Sequence, residues 1–424
     1  MTATMGSRDF QRQSPDSERV LVIGDDTRAT LAVVRSLGRA GKEVHLAPFN
    51  WHSPTTHSRY VTRVHQLPRN TRMQSWAKAA AEILARWRFD LIIPCCDRGI
   101  ILIESAPETF AGQTIARPEP TDAAAQLFDK AQTRALAEEL GIRVAPGCML
   151  DDGATAETLA DRLGLPLYLK PRRSYEPGSL GERGSVMRAH TPEALAEALS
   201  RIAAPSGWLA EAAIPGTGVG YSVLAHQGAV TQAFQHCRLR EAAAGGSSLR
   251  MSEAPDPELG ATVAAMVERL HFSGVCMFEF RRRPDGGHVL LEANARFWGS
   301  LPLPVALGVD FPLFQYDQIV HGITHPQVAY PAGTCARNLL HDARNIGREA
   351  ISGHGLLDAA RDLSALAAHP LLAAWGRERS DTLVQDDLMP GVLEITGAGR
   401  MAINRWRANR SGAAERRNAG QTGS

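Results

Sequence analysis

Val275-Cys-Met-Phe-Glu-Phe-Arg-Arg-Arg283 and His288-Val-Leu-Leu-Glu-Ala-Asn-Ala-Arg296, joined by Pro284-Asp-Gly-Gly287, decide how this chain is read. Asp-Gly between two alternating apolar runs is a strong hairpin signal. A turn of two or four residues centred on Asp285-Gly286 sets Glu279 directly opposite Glu292. Strand alternation then puts Cys276, Phe278, Phe280, Val289, Leu291 and Ala293 on a core face. Glu279, Arg281, Glu292, Asn294 and Arg296 share the other face with Met277, His288 and Leu290. Two carboxylates opposed across a ladder destabilise it; a divalent cation between them reverses that sign. With the Asn294 carbonyl they form a set of hard oxygen ligands suited to Mg2+ held together with a substrate's phosphates. A solvated face, its acids neutralised by Arg281 and Arg296, accounts for the pattern equally well.

Around the hairpin lie 424 residues, enough for about three domains. With 44% hydrophobic and 21% charged residues the chain reads as globular, with sizeable cores. A net charge of +1 gives no bulk attraction to nucleic acid or an anionic membrane. No apolar run approaches the ~20 residues that cross a bilayer. The polar residues 1–18 lack a signal for export, so a cytoplasmic protein is expected. Six cysteines without CxxC spacing and 14 histidines without HxH read as free thiols and ordinary histidines, not a zinc site.

Residues 19–116 alternate strand and helix, which implies a small parallel sheet. The pattern is Rossmann-like, yet Gly24-Asp25-Asp26 lacks the G-x-G-x-x-G that lets a backbone approach pyrophosphate. Arg117-Pro-Glu-Pro120 marks a boundary. Beyond it come helices opened by Thr121-Asp122 and by Asp129, then antiparallel strands with helices packed on them, an α+β arrangement. Residues 326–403 read as a mainly helical extension, and residues 1–18 and 404–424 as disordered, the latter a basic tail.

Three further stretches stand in a telling order with the hairpin: Phe128-Asp-Lys130 before a helix ending in Gly-Ile-Arg-Val144; Leu167-Tyr-Leu-Lys-Pro171 and the glycine-bearing loop after it; Ala210-Glu-Ala-Ala-Ile-Pro-Gly216; and then Phe278-Glu279 with Glu292-Ala-Asn-Ala-Arg296. Together they resemble the ATP-grasp superfamily over roughly residues 20–325. They are most similar to the branch of the carbamoyl phosphate synthetase large subunit and stand-alone carboxylate–amine ligases. The resemblance implies an α/β and α+β chain: a Rossmann-like pre-ATP-grasp domain at 19–116, then a two-lobed ATP-grasp fold at 117–325 whose mobile lid spans about 145–210. It implies ATP with Mg2+ (or Mn2+) as cofactors. Lys130 and Lys170 would meet the phosphates, and the loop with Gly178, Ser179 and Gly181 would close over them, Gly184-Ser185 being the alternative clamp. Glu211 and Ala212 would border adenine, and Glu279, Glu292 and Asn294 would hold one or two metal ions. Arg296, with Lys170, would stabilise charge in the reaction. The loop departs from the family pattern in the bulky Arg172-Arg-Ser-Tyr-Glu-Pro177.

Arg238 and Arg240, on one strand face beside Gly245-Gly-Ser-Ser248 and its Ser247, are candidates for clamping a substrate carboxylate; an exposed basic strand is the plain alternative. The activity implied is an ATP-dependent, amide-forming ligase working through an acyl phosphate on a small carboxylate and amine. A carboxylase- or kinase-type enzyme without an amine acceptor, or an inactive nucleotide-binding scaffold, are the alternatives. Nucleic acid and membrane partners are not expected, and a homodimer is one role open to the C-terminal helices.

Overall fold

The computed structural model describes residues 18–68, 72–173, 184–241, 246–351 and 356–398. Its first sheet holds β1 (Arg19–Ile23), β2 (Glu43–Ala47), β3 (Val61–Val64) and β4 (Leu91–Pro94), in the order β3-β2-β1-β4 and parallel throughout. Val20, Val22, Val44 and Leu46 are fully buried beneath helix Ala29–Arg39, as the apolar runs require. β3 and helix Asp97–Ser105 were not anticipated. β3 is an edge strand whose exposed polar residues hide its period, and the helix follows Cys95-Cys96 without a capping side chain. The loop after β1 is closed to phosphate: Asp26 Oδ1 accepts from the Arg28 and Ala29 N–H groups, and Oδ2 from Thr30. A carboxylate already occupies the helix N-terminus that a dinucleotide would need.

The second sheet is antiparallel and comprises β5 (Gly147–Met149), β6 (Leu167–Pro171), β7 (Met187–Ala189) and β8 (Trp208–Ala212), ordered β5-β8-β6-β7. Helices Ala156–Leu163 and Pro192–Ser200 cover it through Leu159 and Leu195, which pack with Leu167 and Leu169.

The third sheet runs β13-β12-β9-β10-β11-β14-β15, from β9 (Thr217–His226), β10 (Ala229–Glu241), β11 (Ser247–Glu253), β12 (Gly274–Arg282), β13 (His288–Asn294), β14 (Cys335–Arg337) and β15 (Glu378–Ser380). Both faces are covered. Val219, Val223, Phe278 and Phe280 pack on helices Lys130–Glu139 and Pro257–Arg269, while Leu224, Phe234 and Met277 join a core with Trp298 and the first domain.

Two expectations are corrected here, and the mainly helical extension gains two short strands. Ser247 and Ser248 belong to β11, not to a flexible loop; Ser247 pairs with Glu241 and is buried. The C-terminal extension carries helices Leu339–Ile351, Leu356–Ala367 and His369–Ala374, but it also supplies β14 and β15 to the sheet edge. Three-residue strands are too short to show alternation. Finally, Glu279 does pair with Glu292, but by another route. The loop spans 283–287, Arg283 N–H bonding the Gly287 carbonyl at 2.9 Å, with Gly286 at φ 85°. That odd length sets Arg282 opposite His288 and Phe280 opposite Leu290, and a bulge at Leu291 restores the Glu279–Glu292 register. Leu290, not Leu291, therefore enters the core with Phe280.

No helix among the described residues is long and apolar enough to cross a membrane. All six cysteines are free.

Candidate active site

The bulge re-aims β13 so that Glu292 turns to the same side as Glu279 while its neighbour Leu290 stays in the core. Asn294 Nδ2 donates to Glu279 Oε1 at 3.2 Å and to Glu292 Oε1 at 3.3 Å. Its Oδ1 accepts from Arg296 Nη2 at 3.0 Å. Arg296 also donates through Nε to Asp97 Oδ1 at 2.8 Å, tying the hairpin to the first domain. Burial opposes the Arg296 charge, but Asp97 and then Glu292 outweigh it and hold its pKa above the ordinary arginine value.

Arg238, on β10, donates to Glu279 Oε2. Gly220 of β9 lies between those strands, opposite both Glu279 and His236. A Cβ there would sit 2.2 Å from the His236 ring, so glycine is required by close approach. Arg240 turns elsewhere. The β10–β11 ladder is irregular after Arg238, and Arg240 Nη1 lies 2.9 Å from both carboxylate oxygens of Asp342 while Nη2 pairs with Asp362. The two arginines thus diverge: Arg238 belongs to the acid cluster, and Arg240 to the seam with the C-terminal helices, where Ser248, not Ser247, also bonds Asp342.

From the second sheet, Lys170 at the end of β6 pairs with Glu211 of the adjacent β8, Nζ to Oε2 being 2.5 Å. Burial works against the ammonium, yet Glu211, Glu292 and Glu279 together keep its pKa raised. The charges of the Glu279–Glu292 pair thus reach Lys170 on the second sheet. Arg134 stands 3.8 Å from Glu211 Oε1, and Ala212 gives its N–H to the Pro146 carbonyl at 2.8 Å.

Lys130 opens its helix directly after Asp129, whose carboxylate caps Ala131 and Gln132. Arg172 and Arg173 both pair with Asp129, at 2.7 and 3.3 Å, and the Lys130 N–H bonds the Arg172 carbonyl at 3.0 Å. The bulky start of the glycine loop thereby gains a purpose, pinning the loop's root beside Lys130. Gly178, Ser179 and Gly181 lie outside the described residues.

A cavity of about 390 Å³ opens beside these groups. Lys130, Arg173, Glu292 and Asn294 form its polar wall, and Ile100, Ile103, Leu127 and Phe128 much of its apolar one. Asp97 and Glu104 project from helix Asp97–Ser105. Sequence reasoning missed Asp97; its only signal was a lone acid after two cysteines.

The donor chemistry fits Mg2+ or Mn2+ in part. Among the described residues no group of three or more His, Cys, Asp or Glu stands ready to hold a metal. Glu279 and Glu292 supply two hard carboxylates on one face, and a half-turn of the Asn294 amide would present its oxygen as a third. A cation there would need phosphate and water oxygens to complete its shell, as Mg2+ commonly does.

No protein-family model matches the chain, and no curated protein matches its sequence. Solved structures do. A biotin carboxylase domain of 2-oxoglutarate carboxylase from Hydrogenobacter thermophilus, a dimer in complex with MgADP, ADP and bicarbonate, matches with TM-score 0.58 at 17% identity, over 75% of this chain and 73% of that one. N5-carboxyaminoimidazole synthetase from Staphylococcus aureus, complexed with ADP, gives 0.56 at 14% identity over 77% and 83%. An L-amino acid ligase from Bacillus licheniformis gives 0.55 at 18% identity over 74% and 78%. The chain has the ATP-grasp fold that these proteins share.

Proposed function

We propose that this protein is an ATP-dependent ligase that joins a small-molecule carboxylate to an amine. One observation carries the reading. Cations from separate elements, Lys170 of β6, Arg238 of β10 and Arg296 after β13, converge on Glu279, Glu292 and Asn294 beside a substrate-sized cavity. The fold shared with ATP-dependent ligases supports it.

In the proposed reaction a carboxylate oxygen attacks the γ-phosphorus, and ADP leaves. The amine nitrogen then attacks the acyl carbon, and inorganic phosphate leaves with both C–O bonding electrons and takes up the proton lost from nitrogen. Mg2+ bound at Glu279 and Glu292 would neutralise phosphate charge. Lys130 and Lys170 hold the phosphates from opposite lobes, as point charges on flexible stems. Arg296, fixed by Asp97 and Asn294, presents its guanidinium where charge develops on the acyl carbon's oxygen. The cavity's apolar wall suits an organic substrate.

The test is ADP release with pooled carboxylates and amines, followed by 18O-labelled carboxylate. Amine-dependent turnover with one 18O in each released phosphate supports the acyl phosphate. ADP release indifferent to amines would favour the carboxylase or kinase reading, and nucleotide binding without turnover the scaffold.

A further inference from the structure

The cavity beside the acid pair is a channel with two unlike ends. Helix Asp97–Ser105 forms one long wall: Asp97, Ile100, Ile101 and Glu104 stand at i, i+3, i+4 and i+7, and all four line the cavity. Helix Thr121–Phe128 lines it in the same way through Thr121, Ala125 and Phe128, at i, i+4 and i+7. The two helices run in opposite senses. Asp97 starts the first at the reactive end, where it holds Arg296 Nε at 2.8 Å. Phe128 finishes the second there, since Lys130 follows two residues later and shares the cavity wall with Glu292 and Asn294. The far end therefore joins Glu104, in the last turn of one helix, to Thr121 at the start of the other and to Arg117 just before it.

On both walls seven helical residues separate the ends, a length of about 10 Å. Ile100, Ile101 and Ala125 make the stretch between them apolar. Charge is unevenly spent along it. At the reactive end Asp97 is taken by Arg296 and Glu292 by Asn294. At the far end Arg117 pairs with Glu119 at 3.6 Å. Glu104 has no hydrogen bond or ion pair among the described residues and keeps an exposed edge at the channel mouth. Partial burial holds its carboxyl above the usual carboxylate range, with Arg117 pulling the other way.

We infer that this channel selects a carboxylate substrate by length and by charge: the acid to be activated lies at the Arg296 end, and Glu104 receives a cationic group carried about 10 Å away on an apolar chain. An extended chain of about six bonds spans about 8 Å, which leaves hydrogen-bond reach at the Glu104 end. The activated end rests on the ligase reading; the cation-selecting end rests on the cavity. The experiment is calorimetric titration of the full chain with ε-aminocaproate, caproate and glycine, each alone and again with Mg2+ and a non-hydrolysable ATP analogue. The expected result is saturable binding of ε-aminocaproate with a Kd at least about threefold below those of caproate and glycine. That preference over caproate should collapse in Glu104→Gln and reverse in Glu104→Lys, a change of ratio that a general loosening of the fold would not produce. Equal affinity for ε-aminocaproate and caproate in wild type, or a preference that survives both variants, overturns the inference. So does glycine bound as tightly as ε-aminocaproate, or no binding of any probe. Titration with the nucleotide analogue alone reports separately on the ligase reading: its failure beside an intact Glu104-dependent preference would strike the ligase and leave the cation site standing.

Discussion

At Glu279 and Glu292 the protein balances its own charge before any ligand arrives. Arg238 takes Glu279, Asn294 spans both acids, and Lys170 is shared between Glu211 and the pair. In the proposed function, nucleotide binding would exchange partners instead of uncovering bare charges. Arg296→Lys keeps the charge and loses the planar fork that reaches Asp97, Asn294 and the Phe297 carbonyl at once. Its kcat in the ADP-release assay should fall about 10²–10³-fold with the fold intact by circular dichroism. A second residue-scale prediction concerns His65, whose ring lies 2.9 Å from that of His45. Burial, then the charges of His45 and Arg63, pushes His65 down to about 4. The folded pKa lies below the unfolded value of about 6.5, so stability is complete above that pH and lost as pH falls toward 4. Urea midpoints should drop across that window, and His65→Phe should flatten the slope; identical slopes would refute the assignment. The positions of Lys130, Lys170, Glu279 and Glu292 were legible because Lys130 opens a marked helix, Lys170 stands near a strand end, and the two acids flank a marked turn. Asp97 was not, since only folding brings it near Arg296.

At the scale of elements, the hairpin shows what an alternating pattern leaves undetermined. Asp285-Gly286 announces the turn, but Val289-Leu-Leu291 is apolar at every position and fits the core in either register. Loop length and bulge each shift the pairing by one residue and cancel before Glu279. Leu290→Ala should therefore cost about 2–5 kcal/mol in chemical denaturation, because Leu290 is 3% exposed. Leu291→Ala should cost well under that; the reverse order would restore the unbulged hairpin. Gly216, at φ 134°, is fixed by another close approach, since a Cβ would lie 2.1 Å from the Arg282 carbonyl oxygen.

Across the whole molecule, the C-terminal segment clamps the first domain to the third sheet. Arg35 of helix Ala29–Arg39, 3% exposed, bonds Asp387 and the carbonyls of Asp381 and Thr382. Asp381 in turn pairs with the fully buried Arg250 of β11. These partners lie far apart in the chain, so no local pattern announces them, and the mainly helical extension is a structural strap. Asp387→Ala leaves Arg35 buried without its charge partner and should destabilise the protein by about 3–5 kcal/mol; a change below 1 kcal/mol in urea unfolding would mean the strap contributes little.

The account stands on a Mg2+–nucleotide site built across the two lobes. Calorimetric titration of the protein with a non-hydrolysable ATP analogue, with Mg2+ and then with EDTA, tests it most directly. Saturable binding is predicted with Mg2+, with a Kd in the range of about 1 μM to 1 mM, weakened at least about tenfold by EDTA and by Glu292→Gln. Absence of binding to the wild-type protein, or unchanged affinity in a folded Glu279→Gln/Glu292→Gln double variant, would contradict it.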